Sequence, residues 1–185
     1  MALTIKKLIF LSALLTFSLA FGQVKTVCPA GFSFIGEKCY FVSYEKANWF
    51  NADRKCHNLK SSLVIFDDDK DRQLLTATLK VLGLPFTNSW QDSIWTGLTS
   101  LGMDCNFVRS RNGKAVPYTP WSPNQPNPIA RKDCVAYANY NGFGYHNIEC
   151  EPYEFPFACE AKTLVTEKYL CLRKEEFLEV DINIL

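Results

Sequence analysis

The order of apolar and polar positions divides the chain into an apolar opening, an amphipathic first half and an aromatic-rich second half. Leu8 to Phe21 is apolar except for Ser12, Thr16 and Ser18, and it follows Lys6 and Lys7. This run is shorter than the roughly 20 residues a membrane-spanning helix needs. With its basic start and the small residues Ala20 and Gly22, it predicts a signal peptide over 1–22 and Gln23 as the mature start. A retained anchor is the competing reading, which the length disfavours.

Between Cys28 and Val42, Phe32, Phe34, Tyr40 and Phe41 flank a turn at Gly36, which predicts a small N-terminal hairpin. Ser43 is placed to cap a following helix, where Ala47, Trp49, Phe50, Ala52, Cys56 and Leu59 recur at helical spacing. Leu63 to Phe66 reads as a short apolar strand. The run Asp67-Asp68-Asp69-Lys70-Asp71 carries the carboxylates that calcium favours, but it lacks EF-hand spacing and glycine. It also directly precedes Leu74, Leu75, Leu79 and Leu82, so it reads better as the acidic first turn of a second helix, ended by Gly83-Leu84-Pro85.

Beyond Ser89, Gly, Pro and Asn interrupt the pattern, predicting short strands joined by long irregular connections, with Asn141-Gly142 as a tight hairpin turn. A more charged tail follows from Lys162, with a helical pattern around Glu167 to Val180.

Composition narrows the function. The 185 residues are one domain's worth, and 48% hydrophobic content is enough to bury a core. There are 20 basic and 19 acidic residues, and Lys6 and Lys7 leave with the leader, so charge points to neither nucleic acid nor an anionic membrane as partner.

All eight cysteines follow the leader, and an even count in a secreted chain reads as disulfides, although about 105 pairings are open on count alone. A metal–thiolate site is disfavoured, because there is no C-x2-C pair and the only imidazoles are His57 and His146. No G-x-S-x-G motif appears and the two histidines fall on different elements, so no enzyme activity is expected. His57, next to Cys56 on the first helix, reads as a surface or packing residue.

Four separated motifs then coincide. Trp49, Ala52, Cys56 and Leu63 fit a W-x2-A-x3-C helix ending at an apolar strand, with Lys60 where a glycine is common. Trp95-Thr96-Gly97-Leu98 is similar to W-I-G-L, Trp121 to Asn127 to W-x4-P-N, and Phe157-Ala158-Cys159-Glu160 to a closing strand. Together, over about Cys28 to Glu160, they resemble the C-type lectin and C-type lectin-like domain family, in its secreted single-domain, invertebrate-like form.

The resemblance implies an α+β double-loop fold with two helices and short antiparallel sheets, spanning 23–161, with 162–185 as a C-terminal tail. It also implies the disulfides Cys28–Cys39, Cys56–Cys159 and Cys134–Cys150. Cys105 and Cys171 are left over, for pairing with each other, for an intermolecular bridge or as free thiols.

For function, the resemblance implies a secreted carbohydrate-binding protein that recognises glycans on cells or glycoproteins. Carbohydrate would be met by Gln125, Asn127, His146 and Asn147, and a calcium ion by Gln125, Asn127 and Asn147. That set holds no carboxylate: His146 and Asn147 stand in place of an Asn-Asp pair, and Lys132 falls near an acidic ligand position. A cation there costs on the order of several kcal/mol against calcium, so the site is degenerate and weak or absent calcium binding is expected.

The loop is one residue short between Gln125 and Cys134, which leaves Asp133 open to a shift toward the ligand position. Gln125-Pro126-Asn127 combines half of a mannose-type and half of a galactose-type pattern, and a cis bond before Pro126 is expected. Tyr118, Tyr137, Tyr140, Phe143 and Tyr145 offer rings to stack on a sugar or a protein partner. Two alternatives remain open: that Trp121, Pro123, Pro126 and Tyr145 only shape the loop, and that the domain is a calcium-independent lectin-like module binding protein.

Overall fold

The computed structural model describes residues 25–103, 105–128 and 132–166. The expected signal peptide, the tail helix and Cys171 lie outside them. Strand β1 (Lys25–Val27) pairs with β10 (Leu164–Thr166) in a two-stranded sheet.

The main sheet has the order β2-β3-β9-β5-β7-β8, from Ser33–Ile35, Lys38–Ala47, Phe155–Ala161, Ile94–Thr99, Cys134–Asn139 and Phe143–Ile148 respectively. Two short strands, β4 (Ser62–Leu63) and β6 (Val108–Arg109), pair with β9 and β5. With two helices and three disulfides among the described residues this is the expected α+β arrangement.

The predicted hairpin is β2–β3, turned at Gly36 with φ 63°. Ser43 does not cap a helix. Strand β3 runs on through it to Ala47, and Asn48 caps helix α1 (Trp49–Asn58) instead, its side chain accepting the Asn51 amide at 2.9 Å. Trp49, Ala52 and Cys56 form the buried face of α1, whereas Phe50 and Leu59 point outward.

In helix α2 (Asp69–Val81), Asp68 caps the Asp71 amide, Asp69 and Asp71 sit in the first turn, and Leu75, Thr76 and Leu79 are buried. The acidic run therefore starts a helix. Asp67 and Asp71 also hold the Lys38 ammonium at 2.7 Å each, while Glu160 of β9 stands at 3.4 Å from it. Tyr40 donates to Asp71 at 2.6 Å, so this polar cluster joins β3, α2 and β9.

The central strands are buried on both faces, which is why they read as nearly continuous apolar runs. Along β5 and β7, Ile94, Leu98, Val135 and Tyr137 enter one core cluster, with Phe66, Leu75, Leu79 and Tyr145. Trp95, Cys134 and Ala136 enter the other, with Trp49, Cys56, Phe155 and Cys159. The threonine in the W-T-G-L motif is satisfied, since Thr96 donates to the Val135 carbonyl at 2.7 Å. Gly97 is required for a different reason: a Cβ there would stand 2.6 Å from the Leu63 carbonyl oxygen.

Cys28–Cys39, Cys56–Cys159 and Cys134–Cys150 are all formed. The second closes 103 residues and ties α1 to β9, and such crosslinks each contribute about 2–4 kcal/mol. Cys105 is exposed and has no disulfide partner among the described residues.

Candidate functional site

Strand β8 carries His146 and Asn147, and a long connection from β6 returns to lie against it. Ser122 donates its amide to the Tyr145 carbonyl at 2.9 Å, and Tyr145 donates to the Pro120 carbonyl at 2.6 Å. Gly144 makes this approach feasible, because a Cβ there would lie 2.6 Å from the Ser122 nitrogen and 2.9 Å from the Pro120 oxygen. Trp121 seats the connection by packing on Phe107 and Tyr145, with ring centroids 5.0 and 5.9 Å away. The chain then turns through Asn124, at φ 63°, into a cis Gln125–Pro126 bond, as expected.

These constraints bring Gln125, Asn127, His146 and Asn147 around one hollow of about 250 Å³. Their polar atoms are largely turned on one another. Asn147 donates to the carbonyls of Asn127 and Lys132 at 2.8 and 2.9 Å, and its side-chain oxygen accepts the Asn127 amide at 2.5 Å. The Gln125 side-chain oxygen accepts the Asn147 amide at 3.3 Å.

This donor set does not suit a hard divalent cation. The Gln125 and Asn147 oxygens already accept protein amides, and the one carboxylate lining the hollow, Glu149, lies outside the expected ligand set and shares the lining with the Lys132 cation. Asp133 does not shift into the site: its carboxylate accepts the Ser100 hydroxyl at 2.9 Å, and its carbonyl accepts the Ser100 amide at 2.8 Å. Among the described residues, no group of three or more His, Cys, Asp or Glu is placed to hold a metal ion.

His146 is 4% exposed, and burial together with the Lys132 charge lowers its pKa from 6.5 to about 4. Its Nε2 lies 3.4 Å from the Ser93 hydroxyl, while Nδ1 has no partner among the described residues. His57, by contrast, faces Asp53 on the surface of α1 at 3.3 Å.

The aromatic rim differs from the sequence expectation. Tyr137 and Tyr145 are fully buried core residues, and Tyr118 and Phe143 pack against the same core. Only Tyr140 of that set lines the hollow, at 37% exposure, together with Trp90 and Tyr153, which the sequence reading did not single out.

Trp90 meets Tyr153 edge-on at 5.2 Å, and Tyr153 stacks on Phe155. The β7–β8 hairpin delivers Tyr140 beside them. Its turn has positive φ at both Asn141 and Gly142, and the Asn141 amide donates to the Asn88 side chain at 2.8 Å. Nothing in the local sequence of Trp90 or Tyr153 marks a binding role, since both depend on contacts across the fold.

Relatives place this geometry in context. The chain is 24% identical over 136 residues to a perlucin-like protein of Mytilus galloprovincialis, covering 71% of this chain and 81% of that one. It is 28% identical over 141 residues to the low affinity immunoglobulin epsilon Fc receptor of Mus musculus, covering 75% of this chain but only 38% of the receptor. Human lithostathine superposes with a TM-score of 0.61 at 23% identity, covering 73% of this chain and 99% of that structure, which shows a shared fold. The family model of the C-type lectin domain matches residues 45–161, and the chain belongs to the C-type lectin domain family.

Proposed function

We propose that the protein is a secreted carbohydrate-binding lectin whose loop site engages sugar without calcium. The observation that carries this reading is the hollow itself. Trp90, Tyr140 and Tyr153 give it an aromatic rim, while the Gln125, Asn127 and Asn147 backbone and side-chain groups beside it bond one another. A sugar ring stacks through its C–H face on such rings, and its hydroxyls need donors and acceptors at the edge.

The Lys132 ammonium, the Gln125 amide nitrogen and the Glu149 carboxylate supply them, with His146 and Asn147 forming the floor. The signal-peptide pattern expected over 1–22 and the three disulfides support an extracellular setting. No helix among the described residues is long and apolar enough to cross a membrane.

A calcium-independent module that binds protein is the second reading, favoured by a relative named as a receptor for an immunoglobulin Fc region. A glycan array probed with the oxidised chain, with and without chelator, separates the two. Sugar binding that survives chelation and is lost in Trp90→Ala is the expected result. A silent array would transfer the site to a protein partner.

A further inference from the structure

A second hollow, of about 330 Å³, shares no lining residue with the first and lies where β6, β5 and the end of β9 meet. Arg109, Arg111, Lys114 and Lys162 line it with a single carboxylate, Glu160, and Arg109 also pairs with Asp67 at 3.2 Å. The Glu160 carboxylate is already engaged, 3.4 Å from Lys38 and 3.9 Å from Arg109, and it accepts the Ile65 amide at 3.3 Å. Arg111, Lys114 and Lys162 make no ion pair among the described residues. For a chain whose net charge is only +1, this is a marked local concentration of unopposed cations.

The turn that carries Arg109, Arg111 and Lys114 is held in place by the backbone. Arg109 donates to the Lys114 carbonyl at 2.9 Å, and Gly113, at φ 67°, donates to the Arg109 carbonyl at 2.8 Å. The Asn112 side chain accepts the Lys114 amide at 3.1 Å, and Ser110 donates to the Gly97 carbonyl at 2.8 Å, fastening the turn to β5. Cations fixed side by side without counter-charges repel one another, and an anion between them relieves that repulsion.

We propose that this hollow is a second binding site, independent of the loop site, for an anionic saccharide chain bearing sulfate or carboxylate groups. A neighbouring hollow of about 420 Å³ shares Arg109, Arg111, Glu160 and Lys162 and ends at Thr163, Glu37 and Lys38, the last held by Asp67 and Asp71, so the open cations of this basic track gather at Arg111, Lys114 and Lys162. No aromatic ring lines either hollow, which argues against base stacking by a nucleic acid strand. The track likewise presents no large exposed apolar side chain for insertion into a membrane surface. The Asn112 side-chain nitrogen adds a donor suited to sugar hydroxyls, whereas Ser62 is buried and the Ser110 hydroxyl donates to Asp53 at 3.1 Å.

Calorimetric titration of the oxidised full chain with a heparin-derived hexasaccharide tests this. Binding that weakens with added salt is expected, and the Arg111→Glu, Lys114→Glu double variant should weaken it by about tenfold or more. Lys162→Gln, at the end of the track, should weaken it in the same direction and serves if the double variant misfolds. Trp90→Ala should leave it unchanged, so this site and the loop site fail separately. The proposal is overturned by absence of binding, by full affinity in the variants, or by equal affinity for a single-stranded oligonucleotide or phosphatidylserine vesicles in the same salt.

Discussion

Asn147 grips the backbone of Asn127 on both sides, accepting its amide through the side-chain oxygen and donating to its carbonyl at 2.8 Å. The same amide group reaches the Lys132 carbonyl at 2.9 Å, so one side chain on β8 ties together two segments of the loop. The oxygen that would face a cation is spent on the fold. Asn147→Ala removes the partner of three backbone groups and should lower unfolding free energy by about 1–3 kcal/mol in urea denaturation. A variant as stable as the parent would show that water replaces these bonds without loss.

The last turn of α1 leads into Lys60 at φ 54°, a left-handed conformation that glycine adopts most readily. A side chain in the left-handed region is disfavoured sterically. Lys60→Gly should therefore stabilise the domain by roughly 0.5–1 kcal/mol, read as a higher Tm. A lower Tm would mean that the lysine contributes contacts that outweigh its backbone conformation.

The buried imidazole of His146 makes stability depend on pH. Above about pH 6.5 neither the folded nor the unfolded chain holds this proton, so its contribution is flat. Between about 6.5 and about 4 the unfolded chain binds a proton that the fold refuses, so stability falls as the pH falls. The loss is on the order of 3 kcal/mol across that window. His146→Gln should show a shallower decline over the same range in parallel denaturation series, and identical slopes would contradict the assignment.

Gly144 permits the connection carrying Trp121 and Gln125 to lie against β8. In Gly144→Ala the new methyl group meets backbone atoms, and the expected cost is about 1–3 kcal/mol with displacement of the loop. Altered Trp fluorescence together with reduced glycan binding checks this, whereas native fluorescence and binding would show that the segment tolerates the shift.

The fold was legible because its constraints recur at short spacings or in distinctive motifs. The W-x2-A-x3-C helix, the W-T-G-L strand and the Asn141-Gly142 turn all appear where expected, and the motif resemblance supplied the three disulfides. Ser43 was misread because a capping residue resembles any polar residue in an exposed strand, and strand pairing with Phe157 decides its role. The site was harder. Gln125, Asn127, His146 and Asn147 converge, but Tyr137 and Tyr145 belong to strands buried on both faces, which local aromatic content does not reveal. Trp90 and Tyr153 lie 63 positions apart in the numbering and meet because they precede β5 and β9, which pair in parallel at Trp95 and Phe157.

Calcium titration of the oxidised chain by calorimetry is the most direct test of a loop in which side-chain bonds and Lys132 stand where an ion would be held. The expected result is no saturable heat up to millimolar calcium, in the parent and in Asn127→Ala alike. A saturable heat in the parent that Asn127→Ala abolishes would contradict it and return the site to calcium-dependent sugar recognition.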